Sequence, residues 1–456
     1  MTLDGDKPTV VLSIETGSRE LESKLVVASA LAKQGYRAIV GHKEAAQEIA
    51  QGSRGIVWLG KSVFAASGDH LADHILKNGG GVAYLADEGG IFSSHAWDEM
   101  VLRKHVTDHI EPRHLGRLCV WGSRQRDLIA RHRPDLADSI VVTGAPRFDL
   151  CRDRYAWVSR GEASGREPYL LLNTRFAGVA HAKGIGVPFA TELNPKEWAE
   201  GTDQRVIADI WFARWRQEAH DWADFVALAH ALTRLEPKIP MVIRPHPSES
   251  LDFYRSAFPP AMNVEVVRKG DVLDWIRGAS VVVHSNCTSG LEAILAGRPS
   301  VNFLPPAGEG TRLDIEVTSE AGKIVRSIPE AQDQVRTLSQ GSPNAHVWSA
   351  HARSMLNNLN EDAIPLVVGA AIAVAKEAGM DSSRVVLPKG DSARTRVSKA
   401  LRGALGKEAK SDYVTSKRGT MPRERIESIV HGCTSRGLGA GIVRIATAHY
   451  TVIDPE

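Results

Sequence analysis

The sequence predicts an α/β protein: two Rossmann-like domains facing a cleft, with a basic C-terminal tail. Three observations lead there. Short apolar runs rich in β-branched residues alternate with stretches of helical spacing, the rhythm of a parallel sheet covered on both faces. That rhythm stops at Val141-Val142-Thr143-Gly144-Ala145-Pro146 and restarts at Tyr169. The length, 456 residues, is ample for two hydrophobic cores.

In the first domain (1–155) the runs beginning at Val10, Arg37, Gly55, Gly81 and Leu118 read as strands. The stretches from Leu21, Leu71 and Ser123 read as the helices between them. Residues from Cys151 to Pro168 are charged and irregular and read as a linker. In the second domain (165–380), Tyr169, Met241, Val264, Val281 and Val301 open short buried-strand candidates. The stretch from Val206 to Leu235 reads as one long helix or two. The stretch from Ala345 to Ala378 reads as helical with a break at Pro365.

Residues 381–456 form the tail. From Arg384 to Arg425 there are twelve Lys/Arg and four Asp/Glu, a local net of +8 against +2 for the whole chain. A basic amphipathic stretch of this kind suits peripheral contact with an anionic inner-membrane surface; a solvated tail is the other reading. The overall charge makes the molecule as a whole no polyanion binder, so no nucleic-acid partner is expected. No run of 18 apolar residues occurs, and the start lacks a signal-peptide plan. The four cysteines are scattered, without CxxC spacing, which fits a reducing cytoplasm better than a disulfide or zinc framework. The expected localisation is cytoplasmic, with the tail as its link to the membrane.

Two segments carry most of the chemistry. Ile243-Arg244-Pro245-His246-Pro247 and His284-Ser285-Asn286-Cys287-Thr288-Ser289-Gly290 each follow an apolar run, at the strand end where open α/β sheets bind ligands. The second opens a helical pattern, so its small residues leave backbone N–H groups free to cradle phosphate. Arg244 and His246 add a cation and a ring donor. Asn173-Thr174-Arg175 should flank the same crevice, and Glu292 could accept from ribose hydroxyls or only decorate the helix. Asp271 reads as an N-cap and His284 as a lone histidine, more often structural. In the first domain, Asp87-Glu88-Gly89-Gly90 sets two carboxylates at a strand end, suited to acid/base work or to a solvated turn. Glu15 and Arg19 stand at the first strand-to-helix turn as candidate acceptor or substrate contacts, with Glu20 and Lys24 as an i,i+4 pair. Neither GxGxxG nor GxxxxGK[ST] occurs in a strand–turn–helix context, and no clustered His/Asp set suggests a metal.

The ordered set ETGSRELESKL, DEGG, WGSRQRDLI, TGAPRFDL, LLNTRF, IRPHPSE and HSNCTSGLEAILAGRPSV resembles the bacterial surface-carbohydrate-biosynthesis proteins, GT-B-like glycosyltransferases. It spans roughly residues 9 to 330. It is more distantly similar to bacterial sialyltransferases and capsule Kdo transferases. The resemblance implies a CMP-activated acidic sugar as donor and no cofactor or metal. It implies that Asp87 or Glu88 is the catalytic carboxylate and that His246 contacts the CMP phosphate. It also implies that Ser285, Thr288 and Ser289 hold phosphate or cytidine. A surface polysaccharide or lipid-linked precursor would be the acceptor. The alternatives are CDP-glycerol glycerophosphate transfer, nucleotide-sugar epimerisation, and a non-catalytic carbohydrate-binding protein of the same fold.

Overall fold

The computed structural model describes residues 1–5, 7–61, 71–85, 110–159, 161, 163–194, 203–306, 312–341, 346–388 and 421–456. The chain divides into two compact units. The first contains β1 (Thr2–Gly5), β2 (Thr9–Ile14), β3 (Arg37–His42), β4 (Ile56–Gly60), β5 (Gly81–Leu85), β6 (Arg117–Val120) and β7 (Ile140–Val142). The second contains β8 (Tyr169–Asn173), β9 (Met241–Arg244), β10 (Val264–Val266), β11 (Ala279–His284), β12 (Ser300–Phe303) and β13 (Lys323–Val325). The chain then returns to the first unit with β14 (Ser383–Val386), β15 (Ile442–Ala446) and β16 (Tyr450–Asp454).

The two α/β units expected from the sequence are both present, with different strand orders. The first sheet runs β15-β16-β3-β2-β4-β5-β6-β7, parallel from β3 to β7. The second runs β10-β9-β8-β11-β12-β13 and is parallel throughout. Counted from its own first strand, that is the 3-2-1-4-5-6 order of dinucleotide-binding sheets. Continuous apolar runs such as Thr9–Ile14 and Tyr169–Asn173 are buried on both faces, because helices cover both sides. The long helical stretch is a single helix, Gln204–Leu232, capped by the Asp203 side chain.

Three expectations about organisation need correction. The second unit ends at Met355, not near residue 380. Helix Ala363–Glu377 belongs to the first unit, where it packs on β4, β5 and β6. Its fit depends on two glycines. A Cβ at Gly81 would come 2.4 Å from Val374 Cγ1, and one at Gly116 2.8 Å from Val374 Cγ2. Periodicity shows that a helix is apolar but not which sheet it covers. Nor does Pro365 break it: the interruption lies at the 3-10 turn Asn357–Leu359, and Pro365 sits in the first helical turn, where no N–H is needed.

The second correction concerns the linker, which packs into the second unit through buried Cys151 and Ala163. The third concerns the tail. Helix Arg423–Ser435 buries Ile426, Ile429, Val430 and Cys433. The hairpin β15–β16 then extends the first sheet antiparallel to β3. Arg37 Nε donates to Asp454 Oδ1 at 2.5 Å, and Arg425 pairs with Glu22 at 3.4 Å. A separate ribbon pairs β1 with β14, which takes up Arg384. Residues 389–420, which hold most of the basic run, lie outside the described residues. Among the described residues no helix is long and apolar enough to cross a membrane.

Candidate functional site

Strand order reverses between β8 and β11, and ligands bind at such a switch point beyond the carboxyl ends of the strands. The register aligns Asn173 with His284 on one side and with Arg244 on the other. The two sequence segments and the Asn173–Arg175 turn thus meet at one crest. At that crest the Asn173 side chain is 4% exposed, and neither its Oδ1 nor its Nδ2 has a hydrogen-bond partner. The Ser285 Oγ, in a residue 1% exposed, is also without one. Buried polar groups are nearly always paired, so unsatisfied ones beside a switch point mark a place built for something else to bind.

The surrounding residues hold this crest rigid. The His284 ring accepts from the Cys287 N–H at Nδ1 (3.2 Å) and donates from Nε2 to the Ala321 carbonyl (2.9 Å). Burial lowers its pKa to about 4, so it stays neutral. Its ring lies against Gly290, where a Cβ would come 2.2 Å from Nε2. The structural reading of His284 is therefore the correct one.

Asn286 sits at φ +47°, a conformation Asn tolerates. Its side chain donates to the Ile315 carbonyl and Ser319 Oγ (3.0 Å each) and accepts from the Ile315 N–H (2.7 Å). Its backbone N–H donates to Asn302 Oδ1 (2.9 Å). This set of bonds uses the amide to pin a neighbouring loop. The Arg244 guanidinium donates to the carbonyls of Lys269 (2.7 Å) and Gly270. A second cation at the crest is Arg175, whose Nε donates to the Ser285 carbonyl and whose Nη2 lies 3.6 Å from Asp221. Asp221 also takes both Nη atoms of Arg312, at 2.9 and 2.8 Å.

His246 is exposed. Its Nδ1 accepts from the Ser248 N–H (3.3 Å), which leaves Nε2 as the protonated nitrogen of the neutral ring. Thr174 Oγ1 accepts from the His246 N–H (3.2 Å) and donates to Glu249 Oε2 (2.7 Å). Helix Thr288–Leu295 starts without a side-chain cap. Thr288 is half-buried at its first position, and Ser289, with Oγ beside the Cys287 thiol, and Glu292 are buried. Asp271 caps its helix as expected, accepting from the Leu273 N–H at 2.9 Å.

Sequence reasoning missed Glu249, which is fully buried and accepts from the Thr174 hydroxyl, the Phe176 N–H and the Tyr254 hydroxyl. Burial pushes its pKa up to about 7, against the pull of those hydrogen bonds. Its place in the Arg244–Glu249 segment was the available signal; nothing local announced its burial.

In the first unit, Glu15 follows β2 and pairs with Lys61 beyond β4 at 3.5 Å. Arg19 lies 3.5 Å from Glu20 Oε1, and Glu20 accepts the N–H groups of Glu15 (3.0 Å) and Thr16 (3.1 Å). The expected Glu20–Lys24 pair forms at 4.0 Å, with Lys24 Nζ also donating to the Ser13 carbonyl. The carboxylates Asp87 and Glu88 lie outside the described residues. Among those described, no group of three or more His, Cys, Asp or Glu is placed to hold a metal ion.

No protein-family model matches the chain, and no curated protein does. Solved structures resemble it at low identity. The UDP-GlcNAc 2-epimerase of Methanocaldococcus jannaschii is 11% identical, with 77% of this chain and 99% of that one covered at a TM-score of 0.43. A variant of the wall teichoic acid polymerase TagF is 10% identical, with 82% and 90% covered at 0.46. A putative UDP-N-acetylglucosamine 2-epimerase from Listeria monocytogenes is 11% identical, with 88% and 97% covered at 0.44. Likenesses of this degree carry no argument about chemistry, which rests on the residues at the crest.

Proposed function

We propose that the second unit binds a nucleotide at the β8/β11 crest and that the chain is a glycosyltransferase. In this reading it moves an acidic sugar of Kdo or nonulosonic type from a CMP donor to a surface polysaccharide or lipid-linked precursor. The observation that supports binding is the pair of buried, unsatisfied polar groups, Asn173 and Ser285, at the switch point of a 3-2-1-4-5-6 sheet. The motif resemblance supports the cytidine donor and the acidic sugar. A departing phosphate needs donors that strengthen as charge develops. The uncapped helix start at Thr288, the His246 ring and the Arg175 guanidinium are the groups offered for it. Acceptor activation would fall to Asp87 or Glu88, removing the hydroxyl proton as it attacks the anomeric carbon. The basic run between Arg384 and Arg425 is the proposed contact with an anionic membrane surface, tested by co-sedimentation with anionic vesicles at low salt.

Calorimetry against CMP, CDP-glycerol and UDP tests the donor. CMP is expected to bind tightest, and tighter binding of UDP or CDP-glycerol would reject the CMP assignment.

A further inference from the structure

We infer that Glu249 is the positioning residue of this crest, fixing the His246 loop through the Thr174 hydroxyl. The inference rests on the nucleotide reading of the site and adds a residue that touches none of the crest's unsatisfied groups. Thr174 has a single hydroxyl proton, and it goes to Glu249 Oε2 at 2.7 Å. That commitment turns the oxygen's lone pairs toward the His246 N–H, 3.2 Å away. The chain of donors therefore runs in one direction, from His246 through Thr174 to the carboxylate. Tyr254 donates to the same Oε2 at 2.5 Å, and the Phe176 N–H to Oε1 at 2.7 Å, so Glu249 also ties the turn after β8. Arg268 closes the loop from the other side, donating to the carbonyls of His246 (3.3 Å) and Glu249.

Three donors converging on one buried side chain require an acceptor with two oxygens. A glutamine would present an N–H₂ to at least one of these donors and leave it unpaired. Thr174→Val removes the hydroxyl at nearly constant volume and cuts the same chain one bond earlier. Thr174→Ser keeps it.

The experiment uses the full chain with ¹³C-labelled histidine, the His246 ring signal being assigned through His246→Gln. It reads that signal without nucleotide and CMP affinity by calorimetry. Glu249→Gln and Thr174→Val should each displace the His246 signal and weaken CMP about tenfold, the worth of one such bond. Thr174→Ser should restore the signal and bring affinity to within about threefold of wild type. The double variant should be no weaker than the weaker single one, because both cut one chain. An unmoved His246 signal in both variants overturns the positioning role, even where melting temperature falls; so do losses that add. Should Glu249→Gln fail to fold, Thr174→Val and Tyr254→Phe carry the same readout. If wild-type protein does not bind CMP, the nucleotide reading fails separately, and the His246 signal still decides this one.

Discussion

At the carboxyl end of β2 the first unit satisfies its charges internally: Glu20 accepts two backbone N–H groups, Lys24 donates to Ser13, and Glu15 pairs with Lys61. At the carboxyl ends of β8 and β11 the second unit leaves Asn173 and Ser285 unsatisfied while Glu249, His284 and Asn286 are saturated around them. The same βα rhythm thus builds two kinds of crest. Among the described residues, one pairs the charges named here within the fold; the other is a rigid frame around open polar groups, as expected where binding must be preorganised. The units also differ in how they are closed. The described residues of the second unit all fall between Cys151 and Met355, whereas the first depends on residues returning from Leu356 onward.

That dependence is the easiest part of the contrast to break. Removing residues 421–456 takes away the hairpin on β3 and the buried Ile426, Ile429, Val430, Cys433, Val452 and Ile453. At about 1.5–3 kcal/mol per buried apolar side chain, the loss rivals the whole stability of an ordinary domain. Calorimetric melting should lose the transition of the first unit and keep that of the second. Two intact transitions would show that the tail contributes little to the first sheet.

Proton linkage separates the units further. Asp454 in the first unit has a lowered pKa: burial opposes the shift, but hydrogen bonds from Arg37 and Arg444 outweigh it. Its contribution is present above the ordinary carboxylate range and is lost as pH falls through the folded value. Glu249 in the second unit is raised to about 7, with Glu218 adding to the rise. The stability it contributes is present below its unfolded value and is lost as pH rises through about 7. Over most of that window buried His284, lowered to about 4, has the opposite slope, since the unfolded ring takes up a proton below its ordinary value. The two slopes offset each other in wild type. Glu249→Gln should unmask the histidine, so the stability difference between variant and wild type should change by about 3 kcal/mol from acidic to neutral pH. Urea unfolding across pH 4 to 8 checks this, and a pH-independent difference would mean that Glu249 does not titrate in that range.

Two glycines compare the frames directly. Gly290→Ala drives a methyl toward the His284 ring and Gly81→Ala drives one toward Val374. Each should cost about 1–3 kcal/mol by overpacking. Only Gly290→Ala should also weaken CMP, since it displaces the segment carrying Ser285 and Thr288. Equal loss of CMP affinity in both would mean that the binding crest is not confined to the second unit.

The sequence showed the βα rhythm and both motif segments, because those signals are local. Strand order was not visible, since a periodic run does not name its neighbours. The return of Ala363–Glu377 to the first sheet was hidden for the same reason: the space for Val374 is made by Gly81 and Gly116, more than 200 residues earlier. Among the site residues, hydrogen-bond capacity was readable and its use was not. Asn173 and Asn286 carry the same amide, but only the fold leaves the first open and binds the second to Ile315 and Ser319. Arg244 and Arg175 were both expected at the crevice, and each donates to backbone carbonyls, because guanidinium reach is decided by which carbonyls lie nearby.

Asn173→Ala makes the smallest change and bears on the main difference between the two crests. An amide buried without partners costs stability in the unliganded protein, so removing it should leave the melting temperature unchanged or raise it slightly. If a nucleotide supplies the missing partners, the same substitution should weaken CMP about tenfold. Stability and affinity would then move in opposite directions, the mark of a residue kept for binding. At the first crest Glu15→Gln should change neither CMP affinity nor stability by more than about 1 kcal/mol, since its pair with Lys61 is half-exposed. A fall in melting temperature on Asn173→Ala with CMP affinity intact would reverse the assignment. Asn173 would then be a packing residue, and the two crests would no longer differ in kind.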